Sequence, residues 1–236
     1  VCYAGLDQLS AAVVNFEKAL AIKPNYAEAL YNLANSLKDL GQLDAAVKNY
    51  EQALSIKPDY AEAYSNLGNT QQDLGQLSAA KRSYEQALVI TPNFAEAHCN
   101  LGVMFKEFGE LDKAKNCYRK ALTINPDYVG AKWNLALAQL VLGDFKTGWL
   151  NYETRWKKKD FEPERNYPQP VWDGSPLIDK ILFIYCEQGI GDEIMFSSCI
   201  PDLIAQHPKL LIIECDARLK PLFHRSFPQE LILRYY

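Results

Sequence analysis

The sequence predicts an α-helical repeat superhelix followed by a partial α/β domain. Three observations predict it. Helix-ending residues recur every 34 residues through the first two thirds of the chain. Between them, apolar residues follow the period of amphipathic helices. From residue 180 onward, apolar runs typical of buried strands alternate with helical patterns, in the order β-α-β-α-β.

The repeat is marked by three residue types at fixed positions. The prolines are Pro24, Pro58, Pro92 and Pro126, the glycines are Gly41, Gly75, Gly109 and Gly143, and the asparagines are Asn32, Asn66, Asn100 and Asn134. Because proline cannot continue a helix and glycine favours the left-handed conformation that ends one, each unit is predicted to hold two helices. One such pair cannot bury its apolar face alone, so neighbouring pairs must stack.

Within one unit, the first helix is predicted to stop at Gly41 and the second to run from about Asp44 to Ile56. Small residues flank an aromatic one on the second helix: Ala46, Tyr50 and Ala53. This pattern resembles the tetratricopeptide repeat. The resemblance implies three full copies, 27–60, 61–94 and 95–128. It also implies a partial copy, 1–26, entered partway through its first helix, with Asp7 in place of glycine.

A degenerate copy, 129–156, is expected to close an array that occupies residues 1–156. Gly148 and Tyr152 keep its small and aromatic positions, whereas Arg155 and Trp156 replace the expected Ala-Leu. Terminal repeats are commonly atypical because one face meets something else. Trp156 and Trp149 therefore predict a helix that packs against the following domain.

The recurring asparagine is the sharpest feature of the repeats. In a stacked array, residues at the same repeat position line up along one surface. A row of side-chain amides offers donors and acceptors at regular intervals, which suits the backbone of an extended peptide. Asn35 and Asn69 lie one turn after Asn32 and Asn66 and broaden the polar strip. The open alternative is that duplication copied an asparagine that bonds within the scaffold.

The asparagine row also resembles the inner groove of O-linked N-acetylglucosamine transferase, where aligned asparagines hold substrate peptides. This resemblance implies a peptide-binding concave groove formed by Asn32, Asn35, Asn66, Asn69, Asn100 and Asn134. The expected partner is therefore a protein or peptide.

A charged, proline-rich linker is expected at 157–179, with a turn at 172–176. Residues 180–236 then predict an incomplete Rossmann-like lobe. Its strands are expected at 181–186, 210–215 and 230–233. Helices are expected at 193–206, broken near Pro201, and at 217–223. The run Lys157-Lys158-Lys159 is most simply a solvated helix end.

The turn Gly189-Ile190-Gly191-Asp192 follows the first predicted strand, where α/β folds place ligands. It lacks the third glycine of a dinucleotide fingerprint and the Walker lysine. Asp192 has a simple alternative role as a helix N-cap. The segment 186–196, with 172–176 before it, resembles bacterial proteins that join tetratricopeptide repeats to a heptosyltransferase-like, two-lobed glycosyltransferase domain. That resemblance implies Asp192 as general base, Gly189 and Gly191 as the acceptor-pocket loop, and a nucleotide sugar as donor.

Composition excludes several classes. The net charge of −4, without a dominant basic block, argues against nucleic-acid binding, and no apolar run could span a membrane. The six cysteines form no CxxC pair, so no metal site is predicted, and reduced thiols suggest a cytoplasmic setting. His98, His207 and His224 lie far apart and suggest no catalytic centre.

Two functions remain open at the level of sequence. One is the peptide-recruiting part of a glycosyltransferase; because only one incomplete lobe is present, we expect this chain, as a fragment, to be inactive alone and to hold no cofactor. The other is a non-catalytic interaction scaffold with a vestigial α/β domain. A dinucleotide oxidoreductase is a remote third.

Overall fold

The computed structural model describes residues 2–157, 167–185, 189–227 and 231–235, with side chains for 8–157, 167–185 and 189–227. The chain divides into two compact units between residues 161 and 162. The first unit is helical. Its helices are α1 (Cys2–Ile22), α2 (Ala27–Asp39), α3 (Leu43–Ile56), α4 (Ala61–Asp73), α5 (Leu77–Ile90), α6 (Ala95–Glu107), α7 (Leu111–Ile124), α8 (Val129–Val141) and α9 (Phe145–Tyr152).

Each repeat pairs a first helix with a second helix, as the sequence predicts. Glycine makes the corner between them: Gly41, Gly75, Gly109 and Gly143 have φ of 76°, 73°, 75° and 80°. At the first corner, the Gly41 N–H donates to the carbonyl of Lys38 at 2.9 Å and the Gln42 N–H donates to that of Leu37 at 2.8 Å. These two bonds close a helix end whose carbonyls would otherwise lack partners.

The core of each repeat is a tyrosine ring held between alanines. Tyr50, Tyr84 and Tyr118 on the second helices have no exposed surface, and neither do their alanine neighbours: Ala46, Ala53, Ala80, Ala87, Ala114 and Ala121. The ring approaches the first helix so closely that a Cβ on Gly68 would lie 2.6 Å from Cε1 of Tyr84. Small residues at these positions therefore set the distance between the paired helices.

Successive first helices contact one another, α2 with α4, α4 with α6 and α6 with α8, more than successive second helices do. An array packed in this way curves toward its first helices. We call the surface of α2, α4, α6 and α8 on this side the inner face.

The two ends of the array depart from the regular repeat. At the start, α1 is one continuous helix, and Asp7, which takes the place of the repeat glycine, lies within it. Without glycine at this position, nothing favours the left-handed corner, and the helix continues. At the other end, α9 is only 8 residues long and passes into a 3₁₀ turn, Glu153–Lys157.

The last repeat keeps a small-to-large contact at its corner. Gly148 is buried, and a Cβ there would lie 2.7 Å from Cδ2 of Leu140. Trp133 packs on Tyr152 with ring centroids 4.8 Å apart. Trp149 is 48% exposed. The packing of Trp149 and Trp156 against a following domain stays a prediction.

The second unit contains a small parallel sheet. Its elements are β1 (Ile181–Ile184), α10 (Ile190–Phe196), α11 (Ile200–Ile204), β2 (Leu210–Cys215), α12 (Lys220–Ser226) and β3 (Leu231–Tyr235). The spatial order is β1-β2-β3, with Ile181 opposite Leu210 and Leu211 opposite Leu231. Alternate residues of β2 are buried among Ile200, Leu219 and Phe223.

Two details of the predicted α/β segment are corrected. The strand expected to be buried at 181–186 ends at Ile184. It is partly exposed, with Ile181 at 59%, because it pairs on one side only among the described strands. Cys186 lies outside the described residues. The helix expected at 193–206 starts earlier, at Ile190. It breaks before Pro201, whose ring is accommodated only in the first turn of α11.

The predicted turn at 172–176 is confirmed. The Asp173 carboxylate accepts from the Ser175 N–H at 2.9 Å, and Gly174 has φ of 85°. Of the lysine run, Lys157 ends the 3₁₀ turn, and Lys158 and Lys159 lie outside the described residues. Within the described segments, no helix has both the length and the apolar character to cross a membrane.

Substitution of a corner glycine tests whether its left-handed backbone stabilises the repeat. In Gly75→Ala the new Cβ meets no neighbouring atom, but alanine is strained in the left-handed conformation, so the free energy of unfolding should fall by about 1–2 kcal/mol. Asn at the same position should cost less, because Asn tolerates this conformation. Urea unfolding followed by circular dichroism measures both. The matched control is Gln86→Ala on the exposed side of α5, expected within about 0.5 kcal/mol of the parent.

Candidate ligand-binding face of the repeat array

The asparagine ladder is the set Asn32, Asn66, Asn100 and Asn134, one on each first helix. Asn32 is exposed and the other three are partly buried. They occupy one position of the repeat, so the stacking of α2, α4, α6 and α8 brings them into a row. A second row, Asn35 and Asn69, lies one turn further along α2 and α4.

The ladder links neighbouring repeats. The Asn66 Nδ2 donates to Oδ1 of Asn35 at 3.0 Å and to the hydroxyl of Tyr31 at 2.9 Å. The Asn100 Nδ2 donates to Oδ1 of Asn69 at 2.9 Å. An amide nitrogen has two hydrogens, so Asn66 uses both inside the scaffold.

The core tyrosines join the same network. The Tyr50 hydroxyl donates to Oδ1 of Asn35 at 2.5 Å, and the Tyr84 hydroxyl donates to Oδ1 of Asn69 at 2.7 Å. Burial raises the pKa of both tyrosines, so both hydroxyls keep their protons and act as donors. Each second-row oxygen thus accepts one bond from its own repeat and one from the next repeat. We call each such set a tyrosine–asparagine relay.

The third relay is interrupted by one substitution. Val103 stands where Asn35 and Asn69 stand in the earlier repeats. Among the described residues, the buried Tyr118 hydroxyl has no hydrogen-bond partner. The Asn134 Nδ2 turns instead to Sγ of Cys99, at 3.8 Å. Valine offers no acceptor, so both donors lose the oxygen that the regular repeat supplies.

The ladder therefore presents acceptors more than donors. Three of its four amide nitrogens donate between repeats, which the alternative of bonding within the scaffold anticipated. The side-chain oxygens of Asn66, Asn100 and Asn134 accept no hydrogen bond from the described residues, and the exposed Asn32 amide makes none. What the inner face can offer a ligand is a row of amide oxygens.

A cavity of about 730 Å³ is lined by α5, α6 and α7, with Leu101, Phe105 and Cys117 among its residues. His98 also lines it; its Nε2 lies 2.9 Å from the carbonyl of Pro92, and burial lowers its pKa. Glu85 and Cys117 line the same cavity, but Nδ1 of His98 has no hydrogen-bond partner in the described part of the chain. The described residues also contain no group of three or more potential metal ligands.

In the second unit, Gly189 is the N-cap of α10 and Asp192 lies in the first turn. Asp192 is therefore not the N-cap, and that alternative is wrong. Its side chain is partly buried and makes no hydrogen bond or ion pair with the described residues. A Cβ on Gly189 or Gly191 would meet nothing within 4 Å, so the loop borders open space. Residues 186–188 of the predicted motif lie outside the described residues.

The buried carboxylate here is Glu193, which the sequence did not single out. It is 5% exposed, and its Oε2 accepts from the Asp216 N–H at 2.9 Å. Asp216 in turn accepts from Arg218, whose side-chain hydrogen bonds lower the pKa of Asp216 to about 2. Glu193 thus ties α10 to the end of β2. No spacing rule in the sequence marks such a contact, because the partner lies 23 residues away.

Comparison with known proteins identifies the repeats. Family models described as "TPR repeat" match residues 3–41, 34–75 and 72–107, and a model described as "Tetratricopeptide repeat" matches 95–128. Protein FlbA of Caulobacter vibrioides is 40% identical over 93 residues, which are 38% of this chain and 16% of FlbA. The chain therefore spans a small part of that relative's length.

Solved structures resemble the array. MamA is 25% identical, covering 62% of this chain and 85% of its own, with a TM-score of 0.58. PilF of Pseudomonas aeruginosa is 21% identical; the match covers 64% of this chain and 69% of PilF, with a TM-score of 0.59. YrrB, described as a TPR protein with an unusual peptide-binding site, is 19% identical; the match covers 65% of this chain and 79% of YrrB, with a TM-score of 0.54. The two below 25% identity establish a shared fold.

The intact and interrupted relays predict opposite effects of one substitution. Tyr84→Phe removes a hydroxyl that donates to Asn69, so the free energy of unfolding should fall by about 0.5–1.5 kcal/mol. Tyr118→Phe removes a buried hydroxyl without a partner, so stability should stay equal or rise by about 1 kcal/mol. The urea unfolding midpoints of Tyr84→Phe and Tyr118→Phe, each compared with that of the parent chain, test this difference.

The control restores the missing acceptor. Val103→Asn should be more favourable when Tyr118 is present than in the Tyr118→Phe background, because only the former has the hydroxyl to donate. Equal losses for Tyr84→Phe and Tyr118→Phe, or no coupling between positions 103 and 118, would contradict the relay.

Proposed function

The chain belongs to the tetratricopeptide repeat family of protein-interaction modules, and on this premise we propose that its array binds an extended peptide segment of a partner protein along the asparagine ladder. The observation that carries the proposal is the row of amide oxygens without partners on the inner face. An extended peptide presents backbone N–H groups, which such oxygens can accept.

The second row gives the groove its rigidity. Oδ1 of Asn35 and Asn69 are each held by two donors, so the first helices keep a fixed spacing. A preformed row of acceptors costs less ordering on binding than a flexible surface. The array also shares its fold with YrrB, which is described as a TPR protein with an unusual peptide-binding site, and this supports peptide binding as the activity of the array.

The test of this proposal uses Asn32, which has no bond to lose within the scaffold. Peptides selected from a displayed random library against the chain should bind Asn32→Ala about three- to tenfold more weakly, as expected for one or two lost hydrogen bonds. Fluorescence anisotropy measures the dissociation constants. The matched control is Asn49→Ala on α3, whose Nδ2 donates to the carbonyl of Ala45 and which lies off the inner face.

Two outcomes would sink the proposal. One is a library that yields no peptide binding the parent chain. The other is a set of selected peptides whose affinity is unchanged by Asn32→Ala and by Asn100→Ala, with circular dichroism showing both variants folded.

For the second unit we infer a Rossmann-like lobe of a glycosyltransferase, in which the array recruits an acceptor protein. The support is the β-α-β-α-β order, the parallel sheet, and a partly buried Asp192 beside the open Gly189 and Gly191. In this role Asp192 accepts a proton from the acceptor hydroxyl as a sugar leaves its nucleotide. The donor in this reaction would be a nucleotide sugar. The competing function is a non-catalytic scaffold with a vestigial α/β unit.

A cytoplasmic setting is part of the same proposal. It is supported by the free thiols of Cys99, Cys117, Cys199 and Cys215.

The general-base role predicts that Asp192→Asn, in the natural protein, lowers sugar transfer from a panel of nucleotide sugars at least roughly 100-fold while donor binding stays intact. Asp202→Asn on α11 is the matched control, because Asp202 is an exposed carboxylate of the same unit. Equal rates for the two variants would reject Asp192 as the base. If the natural protein binds no nucleotide sugar, the scaffold function replaces the enzyme function.

A further inference from the structure

The ladder asparagines are flanked by carboxylates on the same helix face. On α4, Glu62, Asn66, Asn69 and Asp73 are spaced by four, three and four residues, which places them along one stripe. The spacing recurs on α2 as Glu28, Asn32, Asn35 and Asp39, and on α6 as Glu96, Asn100, Val103 and Glu107. The asparagine ladder thus runs between two acidic columns: Glu28, Glu62 and Glu96 on one side, and Asp39, Asp73 and Glu107 on the other.

All six carboxylates of these acidic columns are exposed. Two of them are partly neutralised, since Lys57 lies 3.6 Å from Glu28 and Lys106 lies 3.2 Å from Glu107. Exposed pairs of this kind are weak and can exchange partners.

The middle repeat lacks both of these lysines. Thr91 and Gln72 stand where Lys57 and Lys106 stand in the neighbouring repeats. Glu62 and Asp73 consequently form no ion pair with any described residue. The centre of the inner face therefore carries two carboxylates without counter-charge.

Charge is segregated between the two helix layers. The first helices α2, α4 and α6 carry six carboxylates and two lysines, a net charge of −4. The second helices α3, α5 and α7 carry four carboxylates and seven Lys or Arg residues, a net charge of +3. The array is mildly charged as a whole, yet its two layers have opposite signs. Such a field attracts ligands of positive charge to one layer only.

The carboxylates also lie close to the relays. Asp39, Asp73 and Glu107 each contribute, after burial, to the raised pKa of Tyr50, Tyr84 and Tyr118 respectively. The same pairing recurs in three successive repeats. A ligand bound to the amide oxygens would therefore have its side chains within reach of carboxylates.

We propose that the inner face of α2, α4 and α6 selects an extended peptide rich in lysine or arginine. Backbone N–H groups of the peptide bond the ladder oxygens, and alternate cationic side chains pair with the acidic columns, with Glu62 and Asp73 at the centre. This inference rests on the proposed function and adds the chemical class of the partner. The preference ends at α8, where Gly130 and Val141 replace the carboxylates.

The test compares three short fluorescein-labelled peptides: alternating Lys and Ser, alternating Glu and Ser, and Gly-Ser alone. Fluorescence anisotropy with the whole chain should show the Lys peptide binding tightest, with affinity falling as salt is raised. The double variant Glu62→Gln/Asp73→Asn should weaken the Lys peptide about tenfold, as two partly exposed ion pairs allow. The matched control, Glu51→Gln/Glu85→Gln, removes two carboxylates from the second helices and should change affinity less than about twofold.

The outcomes separate this inference from the proposed function. If library-selected peptides bind through Asn32 but the Lys peptide shows no preference, the charge inference fails and peptide binding stands. If the two double variants weaken the Lys peptide equally, the attraction is nonspecific and the inference fails. If the Lys peptide binds but neither Asn32→Ala nor Asn100→Ala weakens it, that peptide binds away from the ladder and the charge inference fails, whereas peptide binding at the ladder is judged by the library-selected peptides.

Discussion

A tyrosine ring pressed against the backbone of a neighbouring helix fixes the geometry of this array. Gly68 and Gly102 leave no room for a Cβ beside Tyr84 and Tyr118, and alanines surround the rings on the second helices. The hydroxyl at the end of the ring then reaches an asparagine of the first helix. Ring and hydroxyl together set how the two helices pair, and the asparagine oxygen carries that geometry to the next repeat.

The ladder asparagines support the scaffold and supply the candidate binding surface. The nitrogens of Asn66, Asn100 and Asn134 are turned toward the preceding repeat, and their side-chain oxygens accept no hydrogen bond from the described residues. Because an amide has distinct donor and acceptor ends, one residue can stabilise the stack and still offer an acceptor to a ligand. Val103 shows that the scaffold bonds depend on the second-row asparagine. Where valine replaces it, the buried Tyr118 hydroxyl has no partner among the described residues, and the Asn134 nitrogen donates to the thiol of Cys99.

The two helix layers of the array carry charge of opposite sign. Two acidic columns border the ladder on the first helices, while the second helices are net basic. The overall composition conceals this division, since the two layers largely cancel. The α/β unit is organised differently, around apolar β2 and the buried Glu193, which accepts a backbone N–H at the end of that strand. Asp192, next to it in sequence, has no hydrogen-bond or ion-pair partner among the described residues, and it is the residue for which we infer the role of general base.

The sequence by itself determined the repeat, the helix pairs, the glycine corners and the position of the asparagine row, because each depends on local propensity and on a fixed period. It also placed β2 correctly, since a continuous apolar run between turns has few alternatives. Tertiary structure decided the rest. Only stacking shows that the ladder nitrogens bond across repeats and that the Tyr118 hydroxyl lacks the acceptor its counterparts have. Only packing identifies Glu193, rather than Asp192, as the buried carboxylate. These features depend on contacts between residues distant in sequence, which no periodicity of a single chain encodes.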